Sequence, residues 1–327
     1  MIGLLRKASD RNKELQRKED MKITKQIGLC LGALMATVIM ASAQTETNRV
    51  VQPPVTIQQP KSVAVAVGEP ATFGVEGSKD VVAQLSDTVK MDMIWIEPGT
   101  FVMGSPSNEL GRYSDETQHT VTLTKGYWLG KYEVTQAQYQ TVMGSNPSNF
   151  KGDNLPVEDV SWYDANNFCA KLTAQEKAAG RLPEGYEYTL PTEAQWEYAC
   201  RAGTTTALNS GKNLTQEYDN CPNLGEVGWY TSNSGSKTHE VGQKKPNEWG
   251  LYDMHGNVWE WCKDWYGSYS TGAVTDPVGP STGSRRVIRG GSWYFNANYC
   301  RSAYRYYDFP DNDYYDFGFR AVLSLVK

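Results

Sequence analysis

The chain is poor in the side chains that build most metal and acid–base centres. Its 327 residues hold three histidines, His119, His239 and His255, which are widely separated. No two of its six cysteines stand in a C-x-x-C pair, so a zinc ribbon or a thioredoxin-type site has no support. Positive charge is also short: 32 Lys and Arg stand against 37 Asp and Glu, a formal net charge of −5. Phosphate backbones repel such a surface, and nucleic acid is not an expected partner. The apolar run over 27–40 falls short of the roughly 20 residues that a spanning helix needs. No internal repeat is visible.

That apolar run has another use. Met21 is followed by Lys22 and Lys25, the run itself, and Ala41-Ser42-Ala43 as a small-residue cleavage site. This is the pattern of a secretory signal peptide cleaved after Ala43, with residues 1–20 as an upstream extension. The expected destination is secreted, periplasmic or cell-surface, with no transmembrane segment after cleavage. Removing 1–43 takes away eight basic and four acidic residues and leaves 24 against 33, a net charge of −9. Five cysteines then remain, Cys169, Cys200, Cys221, Cys262 and Cys300. The number is odd, so at least one thiol is free or pairs between chains.

Residues 44–90 read as a linker, with a strand-like alternation over 61–76 that is similar to the first strands of a bacterial immunoglobulin-like domain and stops too soon to complete one. The main domain is expected from 91 to 327. All ten tryptophans lie from Trp95 to Trp293. A strand, a Pro-Gly turn and a second strand cover 93–101, with further strands at 120–123 and 127–133. Thr135 with Gln138 and Thr192 with Gln195 predict capping boxes at two helix starts. Ser161 precedes a third helix, with Ala165, Phe168, Cys169 and Leu172 on one face. Beyond Cys200 the chain turns Gly-, Asn- and Trp-rich, and irregular backbone is expected.

The tract 294–317 has its own composition. It holds seven Tyr, three Phe, four Asp and three Asn, with no Leu, Ile, Val, Lys, Glu, Gln, Met or Trp. A core would use the missing aliphatics. Tyr gives large amphipathic contact area for two rotatable bonds, and short polar residues give adaptable hydrogen bonds, as in antibody paratopes. Strand propensity explains the Tyr and Phe, but strands avoid Asp and Asn. Randomised adenines in Asn codons would yield this mixture. The tract is therefore read as a binding face.

Seven motifs stand in one order: Gly-Thr-Phe-Val-Met-Gly-Ser (99–105), Tyr-Glu-Val-Thr (132–135), Pro-Val-Glu-Asp-Val-Ser-Trp (156–162), Leu-Pro-Thr-Glu-Ala-Gln-Trp-Glu-Tyr-Ala-Cys-Arg-Ala-Gly (190–203), Gly-Leu-Tyr-Asp-Met-His-Gly-Asn-Val-Trp-Glu-Trp (250–261), Arg-Gly-Gly-Ser-Trp (289–293) and Gly-Phe-Arg (318–320). The series closely resembles the formylglycine-generating-enzyme (sulfatase-modifying-factor) family over about 91–327. The resemblance implies an α+β domain of the formylglycine-generating-enzyme and C-type-lectin-like fold, with little regular secondary structure. It implies a Cys200–Cys300 disulfide. Family members that oxidise cysteine hold copper(I) with two thiolates just after Gly-Gly-Ser-[Trp/Tyr], and two soft thiolates suit that ion. Here the first of those positions is Phe295, which argues against copper and against catalysis. A related branch holds iron with three histidines, for which the three scattered ones offer no counterpart. Carried over by position, a Ca²⁺ site would use the Asp253 and Glu260 side chains with the Gly256 and Val258 carbonyls; the alternative is a hydrogen-bonded turn with Glu260 pairing an arginine. Asn223 and Leu224 are faint candidates for a second site.

The variable proteins of diversity-generating retroelements share this fold, and the tract also resembles theirs. Their constant frame corresponds here to Arg-Gly-Gly-Ser-Trp, Cys-Arg-Ser-Ala, Arg305, Pro-Asp and Gly-Phe-Arg. The resemblance implies that Tyr294, Phe295, Asn296, Asn298, Tyr299, Tyr304, Tyr306, Tyr307, Asp308, Phe309, Asp313, Tyr314, Tyr315, Asp316 and Phe317 are varied, ligand-binding positions. The expected function is a secreted binder of a protein or glycan on a cell or phage surface. The alternatives are a formylglycine-generating-type copper oxidase acting on sulfatase cysteine, and a structural surface or motility component.

Overall fold

The computed structural model describes residues 79–218 and 220–326. The signal peptide, the linker over 44–60 and the alternation over 61–76 lie outside the described residues. Within them, the three capped helices form as the sequence predicts. Thr135, Ser161 and Thr192 each accept from the backbone three residues on, and the side chains of Gln138, Asp164 and Gln195 reach back. These reciprocal bonds satisfy donors that a helix start leaves open. The helices span Gln136–Met143, Trp162–Ala178 and Glu193–Arg201.

Two of them pack against a five-stranded sheet ordered Val81–Gln84, Lys90–Ile96, Tyr127–Gly130, Val322–Leu325, Tyr186–Thr189, antiparallel at every pairing. The stacked rings of Tyr139 and Phe168, with Phe319 edge-on to both, fill the space between. The first strand corrects the expected domain start at 91. Val81 pairs with Met93 across a turn in which Leu85 and Ser86 donate to the Val89 carbonyl. The strand has four residues and its turn carries neither Gly nor Pro, so it left no breaker signal in the sequence.

Three smaller sheets carry the rest, one of them the two-stranded parallel pair Gly228–Trp229 and His255–Gly256. Another is ordered Val274–Thr275, His119–Leu123, Gly99–Met103; the third Tyr306–Asp308, Arg286–Arg289, Trp259–Trp265, Phe317–Gly318. The loop before Trp259 is tightly wound. Asp253 and Asn257 adopt positive φ, and at Gly256 (φ +85°) a Cβ would stand 2.0 Å from the Trp229 carbonyl oxygen.

Four arginines pin the C-terminal third to this scaffold. Arg289 donates to Glu193 and Glu197, each at 2.6 Å, and to the Ser302 carbonyl. Arg301 makes a fork with Glu116 at 2.6 and 2.8 Å and reaches Glu109 at 2.6 Å. Arg305 makes a fork with Glu193 at 2.7 and 2.8 Å, and Arg320 one with Glu260 at 2.6 Å on both arms. Every partner in these pairs is buried.

Removing one partner of a buried pair strands the other charge and costs about 3–5 kcal/mol. Glu193→Gln should lose stability of that order in urea unfolding at pH 7. Burial alone would raise the Glu193 pKa, but Arg305 and Arg289 hold it down at about 2. A lowered pKa contributes stability above the unfolded value of about 4.3 and loses it as pH falls toward 2. The wild-type protein should therefore weaken over that window, and Glu193→Gln should flatten its share of the slope. Equal slopes would contradict the role given to Glu193.

Candidate functional site

The frame places the tract so that most of its side chains reach the surface. Of the fifteen predicted binding positions, Tyr294, Tyr306, Phe309 and Asp313 are exposed. Phe295, Asn296, Tyr299, Tyr307, Asp308, Tyr314 and Tyr315 are half-buried. The backbone between them is irregular: a 3-10 turn at Ala297–Cys300, the short strand Tyr306–Asp308, and an Asp308 side chain that accepts from Phe309 N and Asn312 Nδ2.

Four of the fifteen point inward, and the sequence reading is corrected there. Asn298 is buried, with its Nδ2 donating to the Tyr113 hydroxyl. Tyr304 is 5% exposed and packs on Trp259 and Tyr113. Asp316 accepts from the Ser292 hydroxyl and its carbonyl from Trp259 N, which ties the two ends of the tract together. Phe317 is 4% exposed and meets Trp261 edge-on in the sheet. Residue type alone could not separate these from their outward neighbours, because an inward Tyr or Phe satisfies the same compositional rule.

Six of the outward rings are linked by contacts that run through the buried Trp293, Tyr304 and Trp259. Trp293 touches Tyr294 and Tyr315; Tyr294 touches Phe295; Phe295 touches Tyr299; Tyr299 touches Tyr304; and Tyr306 stacks on Tyr307, all with centroids 5.1–5.9 Å apart. Most contacts are edge-to-face or tilted, the arrangements favoured by the ring quadrupole. Trp259, fully buried, is the floor: Phe295, Tyr304 and Tyr306 all lie within 5.9 Å of it.

Residues outside the tract extend the surface. Tyr113 packs on Tyr299 and Tyr304, Phe150 on Trp293, and Tyr266 on Tyr307. The Arg285 guanidinium lies over Tyr307 and Phe309 at 4.8 and 4.9 Å. The sequence reading missed all four of these residues and Trp259. Trp259 alone carried a signal, since it sits in the 250–261 motif. None of the fifteen positions lines the cavity bounded by Glu193, Asp264 and the loop over 267–280.

The cysteines depart from expectation. All five described thiols are free, so the implied Cys200–Cys300 disulfide is corrected. Cys200 Sγ faces the Ser302 hydroxyl at 3.6 Å and His255 Nε2 at 3.9 Å, whereas Cys300 Sγ faces the Asn296 carbonyl at 3.7 Å. Cys300 packs so closely that a Cβ on Gly291 would stand 2.4 Å from its sulfur. His255 bridges the two segments instead. Its Nδ1 lies 2.6 Å from the Cys300 carbonyl, and its Nε2 accepts from Asn209 N at 3.0 Å. Burial lowers its pKa to about 4, which keeps the ring neutral. At the first expected copper position the Phe295 ring packs among Trp259, Tyr294 and Tyr299.

The four expected Ca²⁺ ligands lie in one buried region but differ in availability. The Glu260 carboxylate is taken by Arg320 on both oxygens and by Trp196 Nε1 at 2.7 Å, as the ion-pair alternative has it. Asp253 Oδ2 accepts from Gly242 N, while its Oδ1 is buried with no hydrogen-bond partner. Glu133, missed by the sequence reading, is buried beside them and accepts from Val258 N and Asn257 Nδ2. Burial, then the charges of Asp253 and Glu260, push the Glu133 pKa well up; burial raises that of Asp253 to about 6. Three carboxylates thus share one guanidinium. Among the described residues no three His, Cys, Asp or Glu side chains are grouped to hold a metal. Of the two expected side-chain ligands, Asp253 keeps an oxygen without a hydrogen-bond partner and Glu260 does not. At the second expected site, Asn223 Nδ2 donates to the Asn213 carbonyl and Leu224 is buried.

Residues 79–325 match the Sulfatase-modifying factor enzyme 1-like domain. The chain is 35% identical over 259 residues to the chaperone protein LppX of Paenibacillus barcinonensis, covering 66% of this chain and 84% of that protein. It is 34% identical over 213 residues to the mouse formylglycine-generating enzyme, covering 62% of this chain and 53% of that one, so it spans about half the enzyme's length. Among solved structures, Treponema denticola variable protein 1 superposes with a TM-score of 0.66 at 36% identity, over 74% of this chain and 98% of that one. PvdO from Pseudomonas aeruginosa superposes with a TM-score of 0.63 at 26% identity, over 75% and 98%.

Proposed function

The chain belongs to the family of the Sulfatase-modifying factor enzyme 1-like domain, and on that premise we propose that it is a ligand-binding member whose aromatic face, rather than a catalytic centre, carries its function. One observation carries this reading: eleven of the fifteen positions picked out by composition reach the surface, six of them as rings linked through Trp293, Tyr304 and Trp259, on a frame held by buried ion pairs. The likeness to Treponema denticola variable protein 1 supports it. Rings fixed by their neighbours lose little freedom on binding, which lowers the entropic cost of association. Small-molecule sites are concave, while protein partners meet broad faces. The exposed rings of Tyr294, Tyr306 and Phe309 form such a face, and this favours a protein partner over a small ligand. The proposed protein is exported by the segment over 21–43, and its outward side chains are rewritten at adenines.

The DNA around the gene tests the proposal. A near-copy of the segment encoding 289–320, differing at adenines, should lie close to a reverse-transcriptase gene. Sibling isolates should differ at the eleven outward positions and agree at Arg289, Arg301, Arg305 and Arg320. An invariant tract, or differences spread evenly over the domain, would refute it.

A structural Ca²⁺ is proposed at Asp253, with the Gly256 and Val258 carbonyls, where it would offset the charge of Asp253 and Glu133. Millimolar Ca²⁺ should raise the melting temperature of the EDTA-treated protein, and Asp253→Asn should abolish the rise. An equal rise in the variant would place the ion elsewhere; no rise in the wild type would remove the site.

A further inference from the structure

A cavity of about 500 Å³ lies between the start of the helix Glu193–Arg201, the end of the strand Trp259–Trp265 and the loop over 267–280. That volume falls within the range of small-ligand pockets, roughly 300–1,000 Å³. Met103, Val274 and Pro277 give it apolar wall, and Asp264, Glu193, Arg305 and His119 give it polar groups. Most of these polar groups are already committed. Glu193 takes both Arg289 and Arg305. Arg305 also donates to the Gly267 carbonyl and lies 3.7 Å over the Tyr269 ring. His119 pairs its Nδ1 with the Thr117 carbonyl at 3.1 Å and packs on Tyr269.

Asp264 is the exception. It is only 4% exposed, and its Oδ2 accepts from Glu193 N at 3.0 Å. No described donor reaches Oδ1, which points toward Gly279 on the cavity wall, 3.2 Å from where a Cβ would stand. No cationic side chain is bonded to this carboxylate. An anion would meet Asp264 and Glu193 together. A neutral ligand would leave the carboxylate without a counter-ion, whereas an ammonium group would supply both the charge and the missing donor.

We propose that this cavity binds a small organic amine, with the ammonium on Asp264 and the apolar body against Met103, Val274 and Pro277. The site is independent of the aromatic face, which contributes none of its lining. Burial and the Glu193 charge raise the Asp264 pKa to about 7, against weaker opposing contributions from Arg305 and Lys263. Amine affinity should therefore fall as pH drops through that value; the other charged or titratable groups on the cavity wall are Glu193, Arg305 and His119.

Calorimetric titration of the full chain at pH 8 with benzylamine, benzyl alcohol and benzoate tests the proposal. Benzylamine should bind at least tenfold more tightly than either of the other two. Asp264→Asn should remove that preference. Val278→Trp, which adds bulk at the cavity rim on a loop, should weaken benzylamine at least tenfold while the thermal melt stays that of the parent. The second variant keeps the test valid if the first does not fold. Equal binding of all three probes, unchanged binding to a folded variant, or no benzylamine binding at 10 mM would overturn it.

Discussion

The structure rests on four arginines whose charges are consumed inside the protein. Arg289, Arg301, Arg305 and Arg320 come from the last forty residues, and each is held by glutamates from other segments. A buried ion pair adds little net stability over a well-packed apolar pair, but breaking one half of it is costly. Its value here is positional. The planar guanidinium fork accepts a carboxylate in few orientations, so each pin fixes a backbone position closely. Four such positions hold the irregular C-terminal path without help from the outward side chains between them.

This division of labour makes the aromatic face possible. A Tyr or Phe in a packed core cannot change without opening a cavity or forcing strain, at a cost of a few kcal/mol. Phe295 and Tyr306 lie instead against Trp259, a floor that belongs to a different motif. The buried residues of the tract do the opposite work. Asp316 ties Ser292 to the Trp259 backbone, and Phe317 enters the sheet beside Trp261. Tract and frame therefore interleave residue by residue, and the boundary between them is set by side-chain direction.

Much of this was legible in the sequence because local chemistry decides it. The capping boxes at Thr135 and Thr192 mark helix starts whatever the rest of the chain does, and the motif series carries the fold. The composition of 294–317 separates a contact surface from a core. What the sequence hid depends on long-range partners. The glutamates that hold Arg301 lie 185 and 192 residues away, and no spacing rule links them. The strand Val81–Gln84 exists because Lys90–Ile96 offers it an edge. The directions of Cys200 and Cys300 follow from His255 sitting between their segments. Glu133 joins Asp253 and Glu260 only once the sheet and the 250–261 loop are folded together.

The central claim is that the pins, and not the outward side chains, hold the tract in place. Two libraries of the full chain measure this directly, each sorted for protease resistance on a display surface. One randomises the eleven outward positions, and the other the four inward ones, Asn298, Tyr304, Asp316 and Phe317. The account predicts that most members of the first library stay resistant and few of the second do. Equal losses in the two libraries would show that the outward rings are part of the core, and would contradict it.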